Sequence, residues 1–275
     1  MEKEKSSKFD KKTHRIIIQF NSLKLKIILN NQKKFGLVGK NISYSFSKKY
    51  FTEKFDKELF KNCIYKNFDI QSIEKFPSLI KENHNLKGLN VTIPYKESVI
   101  PFLDSISEKA KKIGAVNVIK FTKNGNLKGY NSDWHGFKKT LKPLLLPHHK
   151  NALILGTGGA AKAVAFALEK LGIFYTFVSR EATEKTIDYN NINATTFDSY
   201  QIIINCTPIG TSPNTNEFPP IPYKFFTEKH IAVDLIYNPS ETQFLKKAKK
   251  NGAITKNGYD MLVFQAEKAW EIWNK

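Results

Sequence analysis

A chain of 275 residues with 41% hydrophobic content suffices for two modest α/β domains or one large one, and no apolar run approaches the roughly 18 residues of a membrane span. The net charge of +19 comes from 44 basic side chains, of which only Arg15 and Arg180 are arginine, leaving 42 lysines. Lysines scattered over helix faces, without the arginine forks that read bases and phosphates, point to a solvated surface; neither nucleic acid nor membrane is an expected partner.

Residues 1–34 hold nine lysines and Arg15 against Glu2, Glu4 and Asp10. Their apolar clusters, Ile16–Ile18 and Ile27–Leu29, are too interrupted for a signal sequence, and no small-residue cleavage site follows. A disordered basic arm, an added edge strand and translated upstream sequence all fit this stretch. Phe35–Val38 reads as a buried strand, followed by a loop over Gly39–Ser47 containing Ser43, Ser45 and Ser47. A helix is expected over Lys48–Phe60, with Phe51 and Phe55 on one face, then a strand at Tyr65–Ile70 and a helix over Ile73–Asn83. The strand beginning at Gly88 stops at Pro94, which cannot donate to a sheet ladder. Helical stretches are expected at Glu97–Leu103 and Ser105–Ile113. Val116–Phe121 and Leu127–Tyr130 flank Lys123-Asn124-Gly125, a hairpin signal. Asn131-Ser132-Asp133 then reads as the N-cap region of a helix over Trp134–Leu141.

Pro143–Lys150 looks like a linker. After it, an apolar run (Ala152–Leu155) ends in a glycine turn and an alanine-rich helix pattern. Gly156, Gly158 and Ala161 fit G-x-G-x-x-G/A, with Gly159 a further candidate. The first glycine permits a tight turn, and the second lets a pyrophosphate approach the backbone. A small third residue lets helix and strand pack closely, while N–H groups at the helix start face the anion. Strands are expected at Phe174–Val178, Ile202–Cys206 and Ile231–Leu235, with a proline-rich loop (Pro208 to Pro222) in place of most of the last intervening helix. A helix at Glu241–Asn251, a short strand at Ala253–Thr255 and a helix at Tyr259–Trp273 follow. Leu262, Gln265, Ala266, Ala269, Trp270 and Trp273 share one face of that last helix. Strands alternating with helices imply an α/β chain with a doubly wound parallel sheet, used twice. The two cysteines, Cys63 and Cys206, make no metal-ligand spacing and suggest a reducing compartment.

Ligands of open α/β sheets bind beyond the carboxyl ends of strands. Ser45, Ser47, Asn90, Thr92, Lys96, Asn117, Asn131 and Asp133 all fall at such ends. A lysine beside an apolar strand can exchange a proton with a reacting oxygen, and Asp133 could orient or share that proton. Each also has a plainer reading: Lys96 as one surface lysine among many, Asp133 as a helix cap, Ser45 and Ser47 as turn residues. None is decisive singly.

Eight ordered segments resemble the shikimate dehydrogenase family: GLVGKNISYSFS, GLNVTIPYK, IGAVNVI, GYNSDWHGF, ILGTGGAAKAV, INCTPIGT, DLIYNPSETQFL and GYDMLVFQAEKAWEIW. The resemblance spans residues 35–273. It implies a substrate domain (35–137 with 257–275), a Rossmann-type NAD(P)-binding domain (138–256) inserted in it, and an interdomain cleft. It further implies reversible NADPH-dependent reduction of 3-dehydroshikimate to shikimate, with Lys96 and Asp133 as the catalytic pair. Ser45 and Ser47 would bind the substrate carboxylate. Asn90, Thr92, Asn117, Asp133 and Gln265 would hold ring hydroxyls, and Tyr237 would line the site. Gly156, Gly158, Gly159, Ala160, Ser179, Arg180 and Gly258 would bind the cofactor, and no metal is implied. The chain departs from the family's H-S-x-S-P pattern at Tyr44 and Lys48, and Ser132 stands where threonine is usual. Ser179-Arg180-Glu181 offers both an arginine for a 2′-phosphate and an acid for a ribose hydroxyl, so NADP is expected with NAD as the alternative. The remaining expectations are a cytoplasmic monomer or homodimer. The rival readings are an NAD-preferring quinate/shikimate dehydrogenase and a non-catalytic nucleotide-binding regulator.

Overall fold

The computed structural model describes residues 32–275 except Tyr44 and Lys185. Positions 1–31 of the basic segment, and the departure at Tyr44, therefore lie outside the described residues. The described residues pack into two units, divided between Leu89 and Asn90, with the boundary inside one strand.

In the first unit, β1 (Lys33–Gly39) and β2 (Cys63–Asp69) pair in parallel from Lys33 opposite Cys63 to Gly39 opposite Asp69. Helix α1 (Phe46–Lys57) connects them and buries Phe51 and Phe55, with Phe51 stacked on Tyr65 at 4.7 Å. This helix sits two to three residues earlier than its expected span. Ser45 caps its start, and Leu59, in the left-handed region at φ 57°, closes its end. The helix expected over Ile73–Asn83 is divided into a 3₁₀ turn (Ile73–Lys75) and α2 (Phe76–Glu82). Pro77, which lacks an N–H, sits in the first turn of α2, where no intrahelical donor is needed.

Strand β3 (Leu86–Val91) ends in the second unit, where Val91 N–H donates to Asn117 O at 2.9 Å. Here the expected helix from Ser105 is instead a short strand β4 (Ser105–Ile106) followed by α3 (Glu108–Ile113). Ser107 decides the division, because its side chain accepts the Ala110 N–H and caps α3. β5 (Val118–Phe121) and β6 (Leu127–Tyr130) form the expected antiparallel hairpin, and β4 pairs with β6 in parallel. Helix α4 (Asp133–Leu141) follows.

The rest of this unit is a six-stranded parallel sheet, ordered β12-β11-β10-β7-β8-β9. Its strands are β7 (Asn151–Leu155), β8 (Phe174–Ser179), β9 (Thr186–Asp188), β10 (Ile202–Asn205), β11 (Ile231–Asp234) and β12 (Ile254–Lys256). Helices α5 (Gly159–Glu169), α6 (Ala194–Ser199), α7 (Gln243–Lys250) and α8 (Tyr259–Asn274) complete it. Burial on both faces explains why β7, β10 and β11 read as continuous apolar runs. Ala152 and Ile154 face a cluster with Phe137, Val164 and Leu168, while Leu153 and Leu155 face Phe197, Phe244 and Leu245. β9 and α6 were not expected. The linker at 143–150 is pinned rather than loose: buried His149 accepts the Leu146 N–H at Nδ1 and so donates from Nε2 to Lys229 O at 3.1 Å. On α8 the buried face holds Met261 with Gln265, Ala266, Ala269 and Trp273; Leu262 and Trp270 are only half-buried. Trp273 Nε1 donates to Ile119 O at 3.1 Å, tying the chain's end to β5. Among the described residues no helix is long and apolar enough to cross a membrane, and no three His, Cys, Asp or Glu side chains cluster.

Candidate active site

Lys96 lies in a series of turns that follows β3, and its carbonyl accepts the Val116 N–H at 2.7 Å. Asp133 is the first residue of α4, where an acidic side chain suits the helix dipole. Lys96 Nζ donates to Asp133 Oδ2 at 2.7 Å, although the two are 37 positions apart in the chain. The aspartate side chain is 8% exposed and the lysine 18%, so the ion pair is largely shielded from solvent. An ammonium carries three donors, and Asp133 occupies one of them.

Asn117, just before β5, organises the rest. Its Nδ2 donates to Asp133 Oδ1 at 2.8 Å and to Ser132 Oγ at 3.0 Å, and its Oδ1 accepts the Ser132 N–H at 2.6 Å. Gln265, on the buried face of α8, joins through Oε1, 3.4 Å from Ser132 Oγ. Asn90 Nδ2 donates to Asn117 O at 3.3 Å, and Thr92 is half-buried two residues beyond it. Asn131 supplies the side chain that caps α4, since its Oδ1 accepts the Asp133 N–H at 3.0 Å. Six of the expected residues (Asn90, Thr92, Lys96, Asn117, Asp133, Gln265) therefore lie in one unit, five of them linked directly through this network. Asn117→Ala would strand the Ser132 N–H and remove a donor from Asp133. A stability loss of about 1–3 kcal/mol by denaturant unfolding is the expected outcome.

Ser45 and Ser47 belong to the other unit. Ser45 Oγ accepts the Ser47 N–H at 3.2 Å, and Ser47, itself buried, bonds the phenol of Tyr65, whose pKa burial pushes up.

The glycine turn has three distinct local reasons. Gly156 adopts φ +102°, a conformation that disfavours side chains, with Thr207 Cγ2 against the position a Cβ would take. Gly158 is the N-cap of α5, and a Cβ there would meet nothing within 4 Å. That open space, a helix start with no side-chain cap, and no acid in the first turn fit the phosphates of a dinucleotide. Gly159 instead lies against Lys96, and Ala160 is half-buried beside it. At the end of β8 the Ser179 hydroxyl donates to Glu181 O, shaping a loop that leaves Arg180 and Glu181 exposed. Tyr237 is half-buried in the loop after β11, where Gly258 N–H donates to Ile236 O at 3.0 Å.

A second buried network was not anticipated from the sequence. Asp234, at the end of β11, accepts hydrogen bonds from Thr242 Oγ1 (2.6 Å), the Ile236 N–H (3.0 Å) and Asn205 Nδ2 (3.1 Å). Asn205 Oδ1 in turn accepts from the Thr207 hydroxyl at 2.6 Å, reaching the side chain that abuts Gly156. The available signal was polar residues ending two apolar strands. Burial raises the Asp234 carboxyl from 3.8 to about 6, against the opposing effect of its three donors. The folded state thus holds this proton more tightly than the unfolded chain. Its contribution is complete below about pH 4 and is lost as pH rises through about 6. Asp234→Asn can keep all three contacts without titrating. Wild type is expected to lose about 3 kcal/mol relative to this variant between pH 4 and pH 7, measured by urea unfolding.

The chain is similar to known proteins along most of its length. Residues 37–119 match the model of the shikimate dehydrogenase substrate binding domain. The shikimate dehydrogenase (NADP(+)) of Methanosphaera stadtmanae is 39% identical over 257 residues, covering 86% of this chain and 90% of that protein. The crystal structure of the Thermus thermophilus shikimate 5-dehydrogenase in complex with NADP(H) and shikimate superposes with a TM-score of 0.78 at 30% identity, over 88% of this chain and 93% of that one. The Listeria monocytogenes shikimate 5-dehydrogenase in complex with shikimate and NAD gives 0.77 at 26% identity, over 88% and 92%. With this identity sustained along most of its length, the chain belongs to the shikimate dehydrogenase family.

Proposed function

We propose that this protein is an NADP-dependent shikimate dehydrogenase, interconverting 3-dehydroshikimate and shikimate. The observation that carries the reading is the shielded Lys96–Asp133 pair at 2.7 Å, set in a network of neutral amides and hydroxyls. When bound, the nicotinamide supplies the hydride for carbonyl reduction. The side chains do the remaining work. Lys96 Nζ stabilises the negative charge growing on the carbonyl oxygen and delivers a proton to it, an acid contribution worth roughly 10²–10⁴-fold. Asp133 orients the ammonium and, in the reverse direction, helps hold the substrate hydroxyl. Asn90, Thr92, Asn117 and Gln265 hold the other ring hydroxyls, Ser45 and Ser47 donate to the carboxylate, and Tyr237 lines the site. Gly156, Gly158, Gly159, Ala160 and Gly258 provide close backbone approach for the cofactor, with Ser179 and Arg180 toward its adenosine end.

Substrate binding is assigned to residues 35–137 with 257–275, and nucleotide binding to 138–256. The family model's match at 37–119 and the containment of β7–β12 within 138–256 support that division. We place the enzyme in the cytoplasm as a monomer or homodimer, with no nucleic-acid or membrane partner. Glu181, beside Arg180, supports a second reading in which NAD serves, the NAD-preferring quinate/shikimate dehydrogenase. One assay decides: purified protein with shikimate or quinate and each oxidised cofactor, followed by nicotinamide absorbance. The expected result is shikimate-dependent reduction, with the larger kcat/KM for NADP⁺. A preference for NAD⁺ and quinate would favour the second reading, and no reduction under any combination would sink both.

A further inference from the structure

Helix α5 touches the candidate proton donor as well as presenting the glycine turn. A Cβ placed on Gly159 would lie 3.5 Å from Lys96 Cβ and 3.6 Å from Lys96 Cδ, so the lysine's aliphatic stem runs along the first residue of the helix. Three residues on, Lys162 Nζ donates to Glu97 Oε2 at 2.6 Å, and Glu97 is the residue after Lys96. A lysine in the first turn opposes the helix dipole, and no acid in that turn compensates it. Its carboxylate comes instead from the Lys96 loop. Below these contacts Ala163 and Phe166 pack against Ile113, Ala115 and Trp134, with Phe166 and Trp134 edge to face at 5.5 Å. Ala115 directly precedes Val116, whose N–H holds the Lys96 carbonyl. Stem, carbonyl and neighbouring side chain of Lys96 are thus all referred to one helix.

We propose that the first turn of α5 positions Lys96, with Gly159 as the surface its stem lies on and the Lys162–Glu97 ion pair as the tether that holds its loop there. Lys162 and Glu97 are positioning residues that act through Lys96. The helix that presents N–H groups to a cofactor then also sets where the proton donor stands, so the two reacting parts share one reference frame. This rests on the dehydrogenase reading, and its test is arranged to fail separately from that reading.

The test compares wild type with Glu97→Gln, Lys162→Met, their double mutant and Lys162→Arg. Three quantities are read: kcat and KM for shikimate at saturating NADP⁺, the NADP⁺ Kd by fluorescence titration, and the rate at which an amine-reactive reagent modifies Lys96, followed by mass spectrometry. Both single variants are expected to lose about fivefold in kcat, with shikimate KM and NADP⁺ Kd within about twofold. The double mutant should lose no more than either single variant, because the pair acts as a unit. Lys162→Arg should keep most of the activity, and Lys96 should be modified several-fold faster in Glu97→Gln. Unchanged kcat and unchanged labelling in the single variants would overturn the proposal, as would losses that multiply in the double mutant. A loss confined to the NADP⁺ Kd would also overturn it, by placing Lys162 on the cofactor. The labelling rate needs no turnover, so it reports on the tether even if the wild-type assay contradicts the proposed reaction.

Discussion

Lys96→Ala is expected to lower kcat for shikimate oxidation by roughly 10²–10⁴-fold, the range supplied by one positioned acid or base. The NADP⁺ Kd should change little, because the glycine turn keeps its own backbone conformation without the lysine's amine. The argument is geometric. Nζ is held 2.7 Å from Asp133, which in turn receives the Asn117 amide, so the ammonium has one defined place, and the described residues of this network include no other cation to substitute for it. The substitution also leaves a nearly buried carboxylate without its counter-charge, so some stability will be lost with it. Lys96→Met, which keeps most of the stem against Gly159, separates the two effects: packing is largely retained and the proton donor is gone. Both variants should be comparably slow. If Lys96→Met turned over near the wild-type rate while its melting temperature matched, the proton would have to come from elsewhere and the assigned mechanism would be wrong.

Gly258→Ala is expected to destabilise the protein by about 3 kcal/mol, at the top of the usual range for overpacking. Gly258 was expected from sequence as a cofactor contact, yet its backbone lies directly on that of Leu235. A Cβ would overlap the Leu235 carbonyl oxygen and come within 2.6 Å of its carbon. Nothing there is a flexible side-chain end that could swing aside; the obstacle is main chain at the end of β11, beside the loop that carries Tyr237. The melting temperature of protein without cofactor should therefore fall by roughly 10 °C for this size of chain. A purely cofactor-facing glycine would behave otherwise, with unchanged melting of the free protein and a raised NADP⁺ Kd. That pattern would show that the Leu235 contact is not what requires a glycine.

The parts of this fold that could be read in advance are those with local signals. β7 announces itself by four apolar residues ending in glycine, α1 by Phe51 and Phe55 one turn apart, and the β5–β6 hairpin by its Asn-Gly turn. The parts that could not be read lack such signals. β9 is a three-residue edge strand of half-buried side chains, formed because β8 offers it a ladder from Phe177 opposite Thr186 to Ser179 opposite Asp188. α6 buries one residue, Phe197, and owes its start to a capping box between Asn193 and Thr196. β4 exists through its pairing with β6, which no pattern in Ser105–Ile106 encodes. The face of α8 was misplaced by one residue at its start because a run rich in Leu, Val and Phe offers more than one apolar stripe; α4, packed along it, selects Met261.

The alternation of strands and helices, the glycine turn and the set of polar residues at strand ends were all legible in the sequence, because each follows from neighbours within a few positions. Which of those residues meet was not. Lys96 and Asp133 become a pair through the Val116–Lys96 backbone bond and the cap that Asn131 places on α4, and Gln265 joins them by packing of α8. The same holds for the glycines, which are chemically identical and serve different ends. Gly156 holds a left-handed backbone angle, Gly158 faces open space, Gly159 has the Lys96 stem beside it and Gly258 lies on the Leu235 main chain. Backbone preference is a local property and can be read along the chain. The neighbour that occupies the space of a missing side chain is set by long-range packing, and that is fixed only in the folded molecule.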